Sequence, residues 1–247
     1  MEMHVSLQQE LEREIMHADK KFNLIFDFDG TLVDSFCVAV QKLNILADEF
    51  NFRKINPTEI DKLKSLTSRA LIKYLKIPLY KLPGILSKAR GYVRDDIPAL
   101  STFIDIPEVL TELHHLDCCL GILTSNSSEN VALWLERYKI RHLFDFIYEE
   151  SNYFGKKQIL KKIMKSHKMN SSHTFYIGDE TRDVDAAQKC DINSIAVSWG
   201  FNSEEILVLS KPNYIAKTPK DILTIINKLK IKLAPHELEK ILVVETI

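Results

Sequence analysis

The chain predicts an α/β fold, a parallel sheet with an all-helical segment inserted after its first strand. Apolar runs alternate with amphipathic helical stretches from residue 22 onward, the pattern of a parallel sheet with helical crossovers. The first run, Asn23-Leu24-Ile25-Phe26, ends in two carboxylates one residue apart, Asp27 and Asp29, with a Gly30-Thr31 turn after them. Between Asp34 and Phe103 lie about 70 residues, nearly all helical in pattern. A simple βαβ unit needs only about 30 residues.

The elements follow in order. Leu7, Leu11 and Ile15 are spaced like an amphipathic helix, giving an N-terminal helical extension over 1–21. Strand 1 is Leu24 to Phe28. Helical pattern runs from about Ser35 to Arg94, punctuated at Asn56-Pro57, Ile77-Pro78 and Pro83-Gly84, and Pro98 to Thr102 reads as a return linker. Then come helix Pro107 to Leu116, strand Leu120 to Thr124, helix Ser128 to Tyr138, strand Phe144 to Tyr148 and helix Lys157 to His167. Strand Thr174 to Ile177, helix Thr181 to Cys190 and strands Ser194 to Ser198 and Tyr214 to Ala216 complete the sheet. Two further helices are expected, Asp221 to Lys230 and Pro235 to Leu242. The division is therefore an α/β core over 22–34 and 101–232, a helical insertion over 35–100, and a C-terminal helical tail over 233–247.

The 247 residues suffice for a sizeable core, and 45% hydrophobic with 27% charged residues is a globular composition. A net charge of −1 points to no nucleic-acid partner, and no segment has the apolar length of a membrane span. Cys37, Cys118, Cys119 and Cys190 lack metal-ligand spacing, and the adjacent pair cannot bridge without strain. Reduced thiols and no leader pattern predict a cytoplasmic protein. The sequence leaves the oligomeric state open.

The chemistry starts at Asp27-Phe28-Asp29-Gly30-Thr31-Leu32. On a strand, alternation brings Asp27 and Asp29 out together at the C-terminal end, where open α/β sheets place ligands. Two such acids repel, and a hard divalent cation such as Mg²⁺ relieves them. One carboxylate can then attack a phosphoryl group while the other protonates the leaving oxygen. Three further clusters fit this chemistry. Thr124-Ser125-Asn126-Ser127 offers a hydroxyl and backbone N–H donors at a strand-to-helix turn; Ser125 with Asn126 is preferred and Thr124 is the alternative. Phe154-Gly155-Lys156-Lys157 supplies the cation that a transferring phosphoryl group needs, Lys156 or else Lys157. Gly178-Asp179-Glu180-Thr181-Arg182-Asp183 ends a strand in an acid and repeats it one helical turn later.

In this order the four clusters resemble the haloacid dehalogenase-like hydrolase superfamily, whose first motif is DxDGT[LV] and whose fourth has the form GDxxxD. Residues 194–201 resemble the subfamily containing phosphoglycolate phosphatases. The resemblance, over about residues 22 to 230, implies a Rossmann-like core with a type 1 helical cap. It makes Asp27 the nucleophile, Asp29 the general acid/base, and Ser125 and Lys156 the phosphate partners, with Thr31 and Asn126 beside the substrate. It gives Mg²⁺ to Asp27, the backbone carbonyl of Asp29, and Asp179, with Asp183 orienting the metal's water shell or the lysine and Glu180 in the outer shell. A cap excludes water and limits access, so a small phosphorylated metabolite is the expected partner. Arg69, in Leu66-Thr67-Ser68-Arg69, resembles a cap-loop residue that grips an anionic substrate. The alternatives are a sugar-phosphate mutase, whose fourth motif usually has Glu where this chain has Gly178, and a non-catalytic phosphate-binding relative, which would be expected to have lost an acid.

Overall fold

In the computed structural model, the structure describes residues 21–94, 96, 99–150 and 155–244, with side chains from 233 onward left aside. The predicted helical extension therefore falls almost wholly outside the described residues, as do Pro98 in the return linker and Phe154. Six parallel strands stand in the order β3-β2-β1-β4-β5-β6. They are β1 Asn23–Phe26, β2 Cys119–Thr124, β3 Phe146–Glu149, β4 Thr174–Gly178, β5 Asn193–Val197 and β6 Tyr214–Ala216. This is the 3-2-1-4-5-6 order of Rossmann-like sheets, and the chain reverses its winding at β1, between β2 and β4.

The helices, named in chain order, are α1 Phe36–Phe50, α2 Ile60–Lys64, α3 Ser68–Tyr74, α4 Leu82–Arg94, α5 Ile106–His115 and α6 Ser128–Arg137. They continue with α7 Lys156–Ser166, α8 Thr181–Gln188, α9 Glu204–Leu209 and α10 Pro219–Val244. Both faces of the sheet are covered, so the strands read as continuous apolar runs. Leu24 and Phe26 point into one core with residues of α5, α6 and α10, such as Leu110, Trp134 and Ile226. Ile25 points the other way, to Leu160 and Ile163 of α7 and Ala186 and Ala187 of α8. That alternation decides which helices the next residue, Asp27, will face.

Helices α1 to α4 all lie between β1 and β2 and have their own buried cluster, built on Leu46, Leu63, Ile72, Leu75, Leu82 and Ile85. Val33 and Thr102 pair antiparallel, so the insertion leaves and rejoins the core at one point. The expected breaks at Asn56-Pro57 and Ile77-Pro78 fall between helices, each followed by a short 3₁₀ turn. The expected break at Pro83-Gly84 is absent. Pro83 lies in the first turn of α4, where its missing N–H would have no intrahelical partner anyway. The two predicted C-terminal helices are likewise one helix, which runs through Pro235 despite the hydrogen bond that proline cannot make. Helix α9 has no counterpart in the sequence reading; at six residues it is too short for a clear apolar period. Among the described residues, no helix is long and apolar enough to cross a membrane.

Candidate active site

The site lies beyond the C-terminal ends of β1, β2 and β4, at the winding reversal. β1 stops at Phe26, one residue short of Asp27 and two short of the predicted Phe28. The backbone then folds back: the N–H groups of Leu32 and Val33 donate to the carbonyl of Phe28, and Gly30 takes a φ of 76°. Asp27 and Asp29 both come out at the C-terminal end of β1, where the Lys156 and Arg182 charges reach each of them, although the loop and not strand alternation carries Asp29. Asp27 continues the side of Ile25 and meets α7 and α8. Asp29 turns towards the end of β2.

Asp27 is 2% exposed. Its Oδ1 accepts from the N–H of Phe28 at 2.9 Å, and its Oδ2 accepts from Lys156 Nζ at 2.7 Å. Lys156 also donates to Asp183 Oδ1 at 2.5 Å. Lys156 occupies the first position of α7 and is buried, whereas Lys157 is half-buried one position on. Of the two candidate lysines, the structure therefore brings Lys156 to the acids. The alkyl stem reaches past Tyr176, whose ring centroid is 5.4 Å from Nζ. Burial and the Arg182 charge press the lysine's pKa down, yet Asp183 and Asp27 outweigh them and the net shift is well upward.

Asp179 follows β4 and is fully buried. Thr31 Oγ1 donates to its Oδ1 at 2.9 Å and the N–H of Phe201 to its Oδ2 at 2.7 Å. A Cβ at Gly30, which already needs its positive φ, or at Gly200 would come within 2.3 Å of that Oδ2. Both glycines let backbone close in around the carboxylate. Asp183, in the first turn of α8, also accepts from the N–H of Glu180 at 3.0 Å.

Carboxylate oxygens of Asp27, Asp179 and Asp183 lie within 4.8 Å of one another, all buried. One lysine cannot balance three such charges. Burial pushes the Asp27 carboxyl up to about 7 against the pull of Lys156. Burial, then the charges of Glu180, Asp183 and Asp27, pushes Asp179 well above the usual carboxylate range. An all-oxygen, under-compensated donor set of this kind fits a hard divalent cation. The Asp29 side chain lies outside this group of three.

Instead, Asp29 Oδ2 accepts from Asn126 Nδ2 at 3.2 Å, and burial raises its pKa although the Asn126 hydrogen bond opposes the rise. Asn126 is itself fixed, its Oδ1 accepting from Ser127 N and Asn130 Nδ2, both at 2.8 Å. Thr124, fully buried, accepts with its hydroxyl from the N–H of Asn126 at 2.9 Å and keeps its O–H to donate. Ser125, Asn126 and Asp29 line one cavity together. Ser125 shares that cavity with the acid, while Thr124 is buried behind the turn.

Arg69 is exposed on the first turn of α3. It lines a second cavity of about 210 Å³ with Lys156, Lys157, Gln158 and Arg182, and is not among the residues lining the cavity that holds Asp29. Two groups of the site went unread in the sequence. Glu150, just past β3, is fully buried, accepts from Gly155 N at 2.6 Å and lies 3.7 Å from Arg182. Arg182 also pairs with Glu180 at 2.7 Å. Their signals were present, an acid just past a strand and a cation between two site acids, but neither has a spacing that marks it.

The insertion is tied down over these groups. Ser68 Oγ donates to Glu180 Oε2 at 2.9 Å, and Lys64 Nζ to the carbonyl of Gly200 at 2.9 Å. Asn202 Nδ2 donates to the carbonyls of Lys64 and Leu66, both at 3.1 Å.

Known proteins share this arrangement. The family model described as haloacid dehalogenase-like hydrolase matches residues 24–197. A phosphoglycolate phosphatase of Synechococcus elongatus is 32% identical over 83% of this chain and 97% of its own. A pyrophosphatase PpaX of Oceanobacillus iheyensis is 24% identical over 82% and 95%. Among solved structures, a predicted phosphatase from Clostridium acetobutylicum superposes with a TM-score of 0.73 over 84% of this chain and 99% of its own. Its sequence identity is 23%, so that likeness speaks for the fold alone. With the family matched across most of its length and the acids gathered at one sheet edge, the chain belongs to the haloacid dehalogenase-like hydrolases.

Proposed function

We propose that the protein is a Mg²⁺-dependent phosphatase acting on a small phosphorylated metabolite through an aspartyl-phosphate on Asp27, as in a phosphoglycolate phosphatase-like enzyme. The observation that supports this most is the buried Lys156 bonded to both Asp27 and Asp183 within the acidic group. An Asp27 carboxylate oxygen attacks phosphorus, and the bond from phosphorus to the substrate's ester oxygen breaks. Asp29, whose pKa burial raises, gives its proton to the departing oxygen. The Asp29 carboxylate then takes a proton from water, and that water's oxygen attacks phosphorus. Inorganic phosphate leaves and Asp27 is restored. Lys156, Ser125 and backbone N–H groups at the end of β2 hold the phosphoryl oxygens. Asp27, Asp179 and the backbone carbonyl of Asp29, with Asp183 behind them, would hold the cation, which when bound would supply positive charge to the phosphoryl oxygens. The α1 to α4 insertion serves as the cap that excludes water. Four free thiols support a reducing, cytoplasmic setting.

A mutase fits less well, because a Cβ at Gly178 would meet Asp183 Oδ2 at 2.4 Å, leaving no room for the glutamate of that motif. The test is phosphate release from p-nitrophenyl phosphate, phosphoglycolate and other monoesters, with Mg²⁺ and with EDTA. Release with Mg²⁺ and its loss in EDTA are expected; full activity in EDTA, or no release from any ester, contradicts the reading.

A further inference from the structure

The cavity beside Asp29 has a composition that phosphate chemistry does not explain. It measures about 270 Å³ and runs from Asp29, Ser125 and Asn126 at its core end into the insertion, between α1, α3 and α4. Eleven of its eighteen lining residues are apolar, among them Leu43, Leu71, Ile72, Ile85 and Ala89. Its polar groups on the far side are already committed. Lys42 Nζ is 2.6 Å from an Asp96 carboxylate oxygen. Arg182 is matched by Glu180 and Glu150, and the Ser68 hydroxyl donates to Glu180. With Asp29 protonated as the general acid, the two cations Lys42 and Arg182 are still offset by three acids, Asp96, Glu150 and Glu180, so the wall carries no positive charge in excess. A carboxylate placed in this cavity would lose its water and gain no uncommitted cation. Mere slack in the insertion's core would have no reason to open onto the general acid.

Resting on the phosphatase reading, we propose that this cavity receives the alcohol portion of the substrate and that this portion is apolar. The substrate class is then the phosphate monoester of an uncharged aliphatic or aromatic alcohol several carbons long, ahead of small phosphorylated acids such as phosphoglycolate. Asp27 takes the phosphoryl group, Asp29 returns its proton to the alcohol oxygen, and the hydrocarbon lies against α1, α3 and α4 throughout. Such a site selects by buried apolar area, about 0.8 kcal/mol per methylene, which is about fourfold.

The experiment is a chain-length series of n-alkyl phosphates from ethyl to octyl, run beside phosphoglycolate with the full chain and Mg²⁺. We expect kcat/KM to climb about fourfold per methylene until the cavity fills, with the best alkyl ester at least about tenfold above phosphoglycolate. Ala89→Phe, which fills the cavity, should move the optimum to a shorter chain. A flat series, phosphoglycolate ranking first, or an optimum unmoved in Ala89→Phe would overturn the inference and leave the phosphatase reading standing. No turnover of any ester, p-nitrophenyl phosphate included, would bring down both.

Discussion

Lys156 is the residue on which the electrostatics of the site turn. It is 3% exposed and bonded to two carboxylates, so truncation leaves acids buried without their countercharge. Breaking a buried pair from one side typically costs about 3–5 kcal/mol, and Lys156→Ala should lose that much in chemical denaturation, along with at least about a hundredfold in kcat. A variant near wild type in both would show that Lys156 neither balances the acids nor holds the phosphoryl group. Arg69 calls for a different signature. Its place beside Lys156 and Arg182, away from the leaving-group cavity, suits a cation that meets the phosphate. Arg69→Ala should therefore raise KM several-fold by a similar factor for every ester. A loss confined to substrates with an anionic leaving group would restore the carboxylate-gripping role that the sequence suggests. Adjacent Thr124 and Ser125 show the limit of reading residues from sequence. Both carry the hydroxyl, and the structure adds that Thr124 Oγ1 accepts from Asn126 N within the turn, which leaves its O–H free to donate.

At the scale of elements, the insertion meets the core through polar ties beside the edge-on contact of the Phe36 and Phe201 rings. The carbonyls at the end of α2 and just after it are held by Asn202 Nδ2, with Lys64 and Ser68 reaching back to Gly200 and Glu180. Asn202→Ala unpins the lid and also removes the acceptor of the Thr181 N–H at the start of α8, so KM and kcat should shift together. Unchanged kinetics would mean that the lid needs no such anchor. Close packing of loops also decides metal affinity. Gly200→Ala drives a methyl into Asp179 and should raise the Mg²⁺ concentration for half-activation at least about tenfold. The strands were legible as continuous apolar runs, because both faces of the sheet are covered, and most helices by their apolar period. Two of the failures came at prolines. Pro83 reads as a break and Pro235 as the start of a new helix, yet one lies in a first helical turn and the other is carried within a long helix.

For the whole molecule, burying three acids around one lysine makes stability depend on proton and metal together. Asp27 has a folded pKa of about 7 against an ordinary 3.8, so folding takes up a proton between those values. Metal-free stability should then fall as pH rises from about 4 to 7 and level off above that. A divalent cation needs the ionised carboxylate, and its stabilisation should grow across the same window. The rise in Tm on adding Mg²⁺ should be clearly larger at about pH 8 than at about pH 5.5, and an equal rise at both would contradict this. The gathering of the acids and the insertion were readable because the acids sit at strand ends that the topology brings to one edge. The character of the leaving-group cavity was not, since it arises from side chains spread over three helices whose spacing also fits an ordinary core. The covalent step on Asp27 is the centre of the mechanism, and rapid acid quench with peptide mass spectrometry tests it most directly. During turnover of p-nitrophenyl phosphate with Mg²⁺, the peptide containing Asp27 should gain the mass of one phosphoryl group, and Asp27→Asn should lose both the label and more than about 99% of the rate. Turnover with no label on Asp27, or with the label on another residue such as Ser125, would contradict it.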